Sequence, residues 1–546
     1  MKRIFYSLMV LFIFVMTGCQ ELAVENENSP DRVKALAEPG DVEALGSNTF
    51  TQNWERQWCG ESFTLTTMAD EISSAWANWA MRDMSSEPRI EWNNDPSYGR
   101  RDVVEGPWFS SYGAISDAND VLIAIAASEA AGSATSNTFT ADGIDINRLR
   151  AFAKFNQAWA HSLLALMFDQ AFIVDETVDL EAVASGAIAL ELTPYPQVME
   201  AALAQMDEAI AIAQSNAFTI TAAEDWVYGL DFTNEDMVKL GNSFKAQWMA
   251  QLARTPSERD AANWSSIMTH IGMGITEDFA PIGDDDGNIR EWDCVKFYGS
   301  NGTTWSRIDY RTLGPADESG GYEAWLDTPL QDRLVFDVVS SDRRINGDPA
   351  DPTVDGKYTE YQGTNGPFPA ARGTYHYSSH NHRRWQDYNI NNSNGPMPYM
   401  ILAEMDMLMA EGLLRTGGSM QTVADLINNT RVPNGELNPA EATAPLGSSD
   451  EVHSHLDTAS MWAKMKYEKR IETMGTSTGL AFFDDRGWGD LVSGTPYHFP
   501  VPGKELETLS LQIYTFGGGG EGSAAKQRSP RDYRSTEFPW SNRKVQ

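Results

Sequence analysis

Two aromatic-rich loop stretches carry the side chains best suited to hold a ligand. Both combine rings with amides or charged groups in sequence without helical periodicity: Arg89, Trp92, Asn93, Asn94 and Tyr98 in the first, and Trp292, Tyr298, Asn301, Trp305 and Tyr322 in the second. Aromatic rings can stack on the apolar face of a sugar ring, whose hydroxyl groups need amide, carboxylate or guanidinium partners. We therefore predict a carbohydrate-binding site here, with Trp92 and Trp305 as stacking platforms. The alternative is that each ring only anchors its own loop.

Other chemistries find less support in the sequence. His376, His380 and His382 lie in a Tyr-, Ser- and Asn-rich segment that predicts no helix, so nothing brings two of them to one face, and no metal is predicted there. Asp284-Asp285-Asp286-Gly287 lacks the alternating ligands of an EF-hand loop; a solvated turn is predicted, with a structural calcium ion as the alternative. Acidic residues are too numerous for any pair to indicate a glycosidase, and serine-hydrolase and zinc-protease motifs are missing. No catalytic residue and no cofactor is predicted.

The elements that must hold these loops are predicted to be helices. In one segment the apolar residues recur at steps of three and four, which is the spacing of one helix face: Phe152, Phe155, Trp159, Leu163 and Leu166. Similar patterns predict antiparallel helix pairs near residues 45–84, 107–168, 196–254 and 398–431. Because each pair would bury its apolar face only by stacking on its neighbours, we predict an all-α, tetratricopeptide-like helical-repeat scaffold.

Local signals predict several helix ends and one change of character. Thr233 to Asp236 reads as a capping box, and Pro196 suits a first helical turn. Gly417 and Gly418 predict the end of one helix, and Ser419 the cap of the next. Between residues 274 and 396 the periodicity fades, while Gly, Asn, Asp, Pro, Trp and Tyr dominate. Such a long stretch inside a compact protein predicts a loop-rich subdomain with a functional role.

The first residues predict export and lipid attachment. Lys2 and Arg3 precede an apolar run from Ile4 to Met16, which is too short to span a bilayer and is typical of a signal peptide. The ending Thr17-Gly18-Cys19 resembles a bacterial lipobox, in which the Cys19 thiol is acylated and becomes the mature N-terminus. The alternative is an ordinary signal peptide cleaved nearby. A lipidated Cys19 would tether the folded body to a membrane surface.

Charge and cysteine content exclude several classes of partner. The chain has 41 basic and 77 acidic residues, a net charge of −36, which becomes −38 when Lys2 and Arg3 leave with the signal peptide. Such a surface repels phosphate backbones, so no nucleic acid is expected to bind, and neutral or cationic ligands fit best. Cys59 and Cys294 remain after lipidation; buried thiols are favoured, and a disulfide between them stays open.

An ordered set of motifs resembles the SusD/RagB family of outer-membrane nutrient-binding lipoproteins. The set follows the lipobox through nearly the whole chain: Trp108-x3-Tyr112-x2-Ile115-x2-Ala118-Asn119, Arg150-Ala151-Phe152, Met409-Ala410-Glu411, Ala424 to Arg431, Glu468-Lys469-Arg470, Gly479 to Gly489 and Phe499-Pro500-Val501-Pro502. Three places depart from the family pattern: Glu468-Lys469-Arg470 stands where Glu-Arg is usual, Ala481 where an Arg is usual and Asp485 where a Leu is usual. The resemblance is therefore to a divergent member, which leaves the ligand class less defined than the fold.

The resemblance implies a domain order, a partner and an activity. It implies a signal peptide over 1–18, an N-terminal SusD-like helical-repeat domain over 19–255 and a C-terminal SusD/RagB domain over 256–546 that includes the loop-rich insertion 274–396. It further implies a surface-exposed lipoprotein of the outer membrane that binds oligosaccharide, or sometimes peptide. The ligand would pass to a SusC-like, TonB-dependent β-barrel transporter, and the protein would not be an enzyme. Two other hypotheses stay open, a secreted glycan-active hydrolase and a helical-repeat scaffold for protein partners.

Overall fold

The computed structural model describes most of the chain. The described residues are 36, 38–58, 61–74, 78–130, 139, 143–284, 306–363, 376–391, 394–477 and 479–525. Several predictions therefore fall outside them, namely those on Cys19, Cys59, Cys294, Trp292, Tyr298, Asn301, Trp305 and most of the Asp284–Gly287 turn.

Helices make up most of the regular structure of the described residues, as the sequence predicts. They are α1 Pro39–Trp58, α2 Glu61–Met68, α3 Met81–Met84, α4 Asp102–Ala130, α5 Ile146–Met167, α6 Leu180–Ala184, α7 Tyr195–Ser215, α8 Asn234–Gln251, α9 Pro256–Ala261, α10 Trp264–Gly272, α11 Tyr310–Leu313, α12 Gly321–Asp327, α13 Gln386–Ile390, α14 Leu402–Thr416, α15 Met420–Arg431, α16 Met461–Glu472, α17 Leu480–Trp488 and α18 Gly503–Thr508. Single 3-10 turns cover Asn78–Ala80, Gly314–Ala316 and Leu330–Asp332.

The strands of the described residues are short and form only two-stranded antiparallel pairs. They are β1 Ile72–Ser73, β2 Gln170–Ala171, β3 Thr193–Pro194, β4 Thr219–Ile220, β5 Phe232–Thr233, β6 Ile282–Asp284, β7 Arg307–Ile308, β8 Asn346–Asp348, β9 Asp351–Asp355, β10 Thr359–Tyr361, β11 His380–His382 and β12 Asn394–Pro396. β1 pairs with β7, β2 with β3, β4 with β5, β6 with β12, β8 with β9 and β10 with β11. The prediction of an all-α, helical-repeat fold is confirmed.

The long helices stack in an order that follows the chain. α1 packs on α4, α4 on α5, α5 on α7 and α7 on α8, after which α10, α14, α15 and α16 continue the stack. α5 lies between α4 and α7 and is buried on all sides, not only on the predicted face. Its Ala residues allow close approach, while buried amides find partners, as when Gln157 donates to Asn119. Phe155, Trp159 and Leu163 lie in the core as predicted.

The predicted helix ends agree with the structure. The Thr233 hydroxyl accepts from the Asp236 amide while the Asp236 carboxylate accepts from the Thr233 amide, which closes the capping box of α8. Pro196 lies in the first turn of α7, and Ser419 caps α15. Gly417 ends α14 at a φ of 71°, a left-handed conformation that glycine adopts without steric cost. α4 differs from expectation because it begins at Asp102, before Pro107.

The loop-rich region has a hydrophobic core of its own. A cluster of buried residues from β7, α11 and α12 packs against residues of α16, with Tyr310, Tyr322 and Trp325 at its centre. Tyr322 lies against the backbone of Gly314, where an added Cβ would come within 2.2 Å of the ring. Glycine is thus required at this position because the two segments approach so closely.

The first aromatic loop is covered by the C-terminal segment. The Trp92 amide donates to the Phe516 carbonyl, and Glu91 bridges Gly517. The Asn94 side chain donates to the Val501 and Tyr514 carbonyls and accepts from the Gly503 amide. These contacts join parts of the chain more than 400 residues apart.

Among the described residues, none of the helices is both long and apolar enough to cross a membrane.

Candidate ligand-binding site

A cavity of about 380 Å³ lies where the end of α2, the loop before Arg89, the segment around α11 and α12 and the loop after α17 meet. Its wall contains Asp70, Glu87, Arg89, Arg311 and Arg333, together with Tyr322, His453, Arg470, Asp485, Asp490 and smaller neighbours. Pockets for small ligands in proteins have volumes of about 300–1,000 Å³. The cavity is therefore large enough for a ligand and is lined by charged groups in fixed positions.

One wall of the cavity is an ion pair between Arg89 and Asp70. Nη2 of Arg89 donates to both Asp70 carboxylate oxygens at 2.7 Å, and Nε donates to the Thr495 hydroxyl at 3.0 Å. Both side chains of the pair are almost fully buried, at 1% and 3% exposure. Asp70 has a φ of 51°, a conformation that Asp tolerates better than most residues. These hydrogen bonds hold the Arg89 guanidinium and the Asp70 carboxylate in fixed positions at the cavity.

A second charged group surrounds Glu87. Its carboxylate pairs with Arg311 and lies 3.6 Å from Nη1 of Arg333 and 3.5 Å from Nε2 of His376. Burial alone would raise the pKa of Glu87, but Arg311 and then His376 hold it well below its ordinary value. Glu87 is therefore ionised at neutral pH, where its carboxylate can accept hydrogen bonds.

Aromatic rings support the far side of the cavity. Tyr322 lines it and stacks on Trp325 at a centroid distance of 6.1 Å, and the Arg333 guanidinium lies 4.2 Å above the Trp325 ring. Nε of Arg333 donates to the Thr328 carbonyl, while Nη1 makes no hydrogen bond within the described part of the chain. This N–H group is itself buried and lies 3.6 Å from Oε2 of Glu87, so it supports the charge of that carboxylate.

The fold, and not the sequence, links this chain to known proteins. Neither the family models nor the curated proteins gave a match to the sequence. Solved structures do match: SusD superfamily proteins from Bacteroides fragilis and Bacteroides vulgatus, at 15% and 13% identity and a TM-score of 0.53 each, and a SusD homolog from Parabacteroides distasonis, at 11% and 0.55. The matches cover 87%, 88% and 86% of this chain and 99%, 99% and 93% of those chains. The chain has the SusD-superfamily fold. The SusD/RagB resemblance is thereby confirmed at the level of the fold.

In this fold the residues predicted from the first loop do not form one exposed surface. Trp92 is 1% exposed, with its ring against the edges of Tyr98 and Phe499 at 5.5 and 5.1 Å, so the expectation of an accessible stacking platform is corrected. Asn94 is buried in its contacts with the C-terminal segment, and Asn93 is exposed and accepts from the Asp95 amide.

Two of the predicted residues do meet at the cavity. Arg89 comes from the first loop, whereas Tyr322 lies in α12, a helix inside the stretch that was predicted to be a loop, and both line this cavity. Tyr98 is half-buried and donates to Asp83 instead. The buried position of Tyr322, at 4% exposure, makes it a supporting wall and not a free platform. The predicted residues between 292 and 305 lie outside the described residues.

Sequence reasoning missed the charged residues that give the cavity its chemistry. Asp70, Glu87, Arg311 and Arg333 come from four separate segments and belong to no motif. A chain with 77 acidic residues offers no reason to choose these carboxylates over solvated ones. The Gly314-Pro315 pair after Arg311 is typical of a turn, but it gives no information on which residues Arg311 would contact.

Proposed function

We propose that this protein captures oligosaccharide in the cavity between Arg89 and Arg333 and delivers it to a SusC-like, TonB-dependent transporter. The observation that carries the proposal is the cavity wall itself, where guanidinium and carboxylate groups alternate at fixed positions. A sugar hydroxyl both donates and accepts, so adjacent donors and acceptors satisfy it. The SusD-superfamily fold supports the same role.

The charge balance of the cavity favours a ligand rich in hydroxyl groups. Arg89 faces Asp70, Arg311 faces Glu87 and Arg470 faces Asp485, so neither sign dominates. A strongly anionic or cationic ligand would break one of these pairs and leave a buried charge unpaired, at a cost of about 3–5 kcal/mol. A neutral sugar can hydrogen-bond to the outer edges of the pairs and leave them intact.

We propose binding without chemical conversion. Glu87 pairs with Arg311 at the cavity wall, which holds the pKa of this carboxyl down and disfavours a general-acid role. Glycoside hydrolysis needs one protonated carboxylic acid in addition to a carboxylate. The proposal thus separates this protein from a hydrolase, and a glycan recovered unchanged after incubation with it would agree.

The proposed location is the outer surface of the outer membrane. The signal-like start and Cys19 would supply a lipid anchor, and two acyl chains would hold the folded body at the membrane. A TonB-dependent barrel at the same surface would receive the ligand. The partner and the location rest on the sequence resemblance and on the fold.

A cavity-filling substitution tests the binding proposal. Ser493 is half-buried in the cavity wall, and Ser493→Trp would place an indole in the space that a sugar must occupy. We expect the wild-type protein, purified without its lipid, to bind members of a neutral glycan array. Calorimetry with the best glycan should then show at least about a tenfold loss of affinity for Ser493→Trp, or about 1.4 kcal/mol.

The matched control is Ser265→Trp, an equal change at an exposed position of α10. It should bind like the wild type. Equal affinity of Ser493→Trp and Ser265→Trp would place the site elsewhere. Copurification of a barrel protein with no affinity for any glycan would favour the scaffold hypothesis instead.

A further inference from the structure

Three buried side chains with metal-ligating atoms converge beside the cavity. Asp70, Asp309 and His376 are 2%, 0% and 1% exposed, and one ligand atom from each lies within 4.8 Å of the other two. Nδ1 of His376 is 3.7 Å from Oδ2 of Asp309 and 4.0 Å from Oδ1 of Asp70. Neither distance is a hydrogen bond, since those bonds join nitrogen and oxygen at about 2.7–3.2 Å.

The backbone brings these three residues together from distant parts of the sequence. Asp70 lies just before β1 and Asp309 just after β7, and these strands pair through Ile72 and Ile308. The Asp309 amide donates to the Glu71 carbonyl, and the next amide, that of Tyr310, donates to the His376 carbonyl. Main-chain hydrogen bonds therefore fix the backbone positions of Asp309 and His376 relative to β1.

Two of the three side chains leave polar atoms without partners. Oδ1 of Asp309 accepts from the Arg311 amide, but Oδ2 has no hydrogen-bond partner within the described part of the chain. The same holds for both ring nitrogens of His376. Burying such groups without a partner is costly. Oδ2 of Asp309 and Nδ1 of His376 face each other across 3.7 Å, and an ion between them would satisfy both.

We propose that Asp70, Asp309 and His376 bind a divalent transition-metal ion, with Zn²⁺ as the best match. One imidazole nitrogen and two carboxylate oxygens suit zinc, whereas calcium and magnesium prefer oxygen ligands alone. Zinc bonds of about 2.0–2.2 Å at a near-tetrahedral angle separate two donors by roughly 3.3–3.6 Å. The observed 3.7 and 4.0 Å need only small side-chain shifts to reach that range.

The surrounding charges include groups that support the ion and groups that oppose it. Oε2 of Glu87 lies 3.5 Å from Nε2 of His376, the place where a carboxylate orients a metal-bound imidazole. Arg89 donates to both oxygens of Asp70, and Nε of Arg311 lies 3.8 Å from Oδ2 of the same residue. These guanidiniums weaken attraction for a cation, while Arg311 is itself neutralised by Glu87. Asp309 therefore has to supply most of the negative charge.

Metal analysis of the purified full-length protein tests the site. After treatment with a chelator and dialysis, we expect one equivalent of Zn²⁺ to bind in calorimetry, and elemental analysis of the loaded protein to return one zinc per chain. His376→Gln should lower this binding at least about tenfold. His382→Gln is the matched control, since His382 is also 1% exposed and makes no ion pair with a described carboxylate; it should bind like the wild type.

X-ray absorption spectroscopy of the zinc-loaded wild type keeps the proposal testable if His376→Gln fails to fold. We expect nitrogen and oxygen ligands with one imidazole. Sulfur in the zinc shell would point to Cys59 or Cys294 and would overturn the assignment. So would a wild-type protein that takes up no zinc, or a folded His376→Gln that binds zinc like the wild type. None of these outcomes depends on glycan affinity, so they test the metal site independently of the proposed function.

Discussion

Trp92→Ala should destabilise the protein and not act first on ligand affinity. The ring is 1% exposed and packs edge-on against Tyr98 and Phe499. Replacing a buried Trp by Ala costs about 3–5 kcal/mol, because the lost contacts leave a cavity. Unfolding entropy near 2.1 cal/mol/K per residue gives about 1 kcal/mol/K for a chain of this size, so a cooperative melt should fall by about 3–5 °C.

Thermal melts followed by circular dichroism measure this loss, with Phe109→Ala as the control. Phe109 is 47% exposed on α4, so its truncation should change the free energy of unfolding by less than about 1 kcal/mol. Calorimetry below the transition should give Trp92→Ala an affinity for glycan close to wild type. An unchanged melting temperature together with lost affinity would refute the burial argument and restore Trp92 as a stacking platform.

Two further outcomes are expected. Burial raises the pKa of Glu404 from 4.5 to about 7, so the folded state keeps a proton that the unfolded state loses, and this group lowers stability as pH rises from about 4.5 to 7. The Glu404→Gln variant lacks this titrating group, so its free energy of unfolding should rise relative to that of the wild type by up to about 3 kcal/mol between pH 5 and pH 8, as measured by urea unfolding. An equal pH dependence of the two proteins would contradict the assignment. Cys19→Ala should move the protein to the soluble fraction because the acyl chains dominate membrane affinity. A variant that still fractionates with the outer membrane, in cells without the barrel, would show that Cys19 is not the anchor.

The helical scaffold could be predicted because its signals are local. The apolar spacing in α5, the capping box at Thr233 and the glycine stop at Gly417 each lie within one or two turns of the element they define. The sequence of α5 does not predict that this helix is buried on all sides, since its burial depends on α4 and α7, which lie on opposite sides of it. Periodicity reports one buried face, whereas neighbours decide how many faces are buried.

The candidate site could not be predicted in the same way because its contacts are remote in sequence. Trp92 looks like an exposed loop residue until Phe499, from the other end of the chain, covers it. Asp70 and Arg89 look like surface charges until the C-terminal segment supplies Thr495. Loop composition predicted Arg89 and Tyr322 as ligand-binding residues, and both line the cavity, but composition could not separate rings that bind from rings that pack.

The contacts between the first aromatic loop and the C-terminal segment have a consequence for biosynthesis. Arg89, Trp92 and Asn94 are made early, but Thr495, Phe499 and Gly503 leave the ribosome only near the end of synthesis. Domains generally fold during synthesis, starting from the N-terminal end of the chain. The first helices can therefore stack before the C-terminal residues that cover this loop have been made. A polypeptide that stops short of residue 495 would lack the Thr495 hydroxyl that accepts from Arg89 and the Phe499 ring that packs on Trp92, and would expose this indole to solvent.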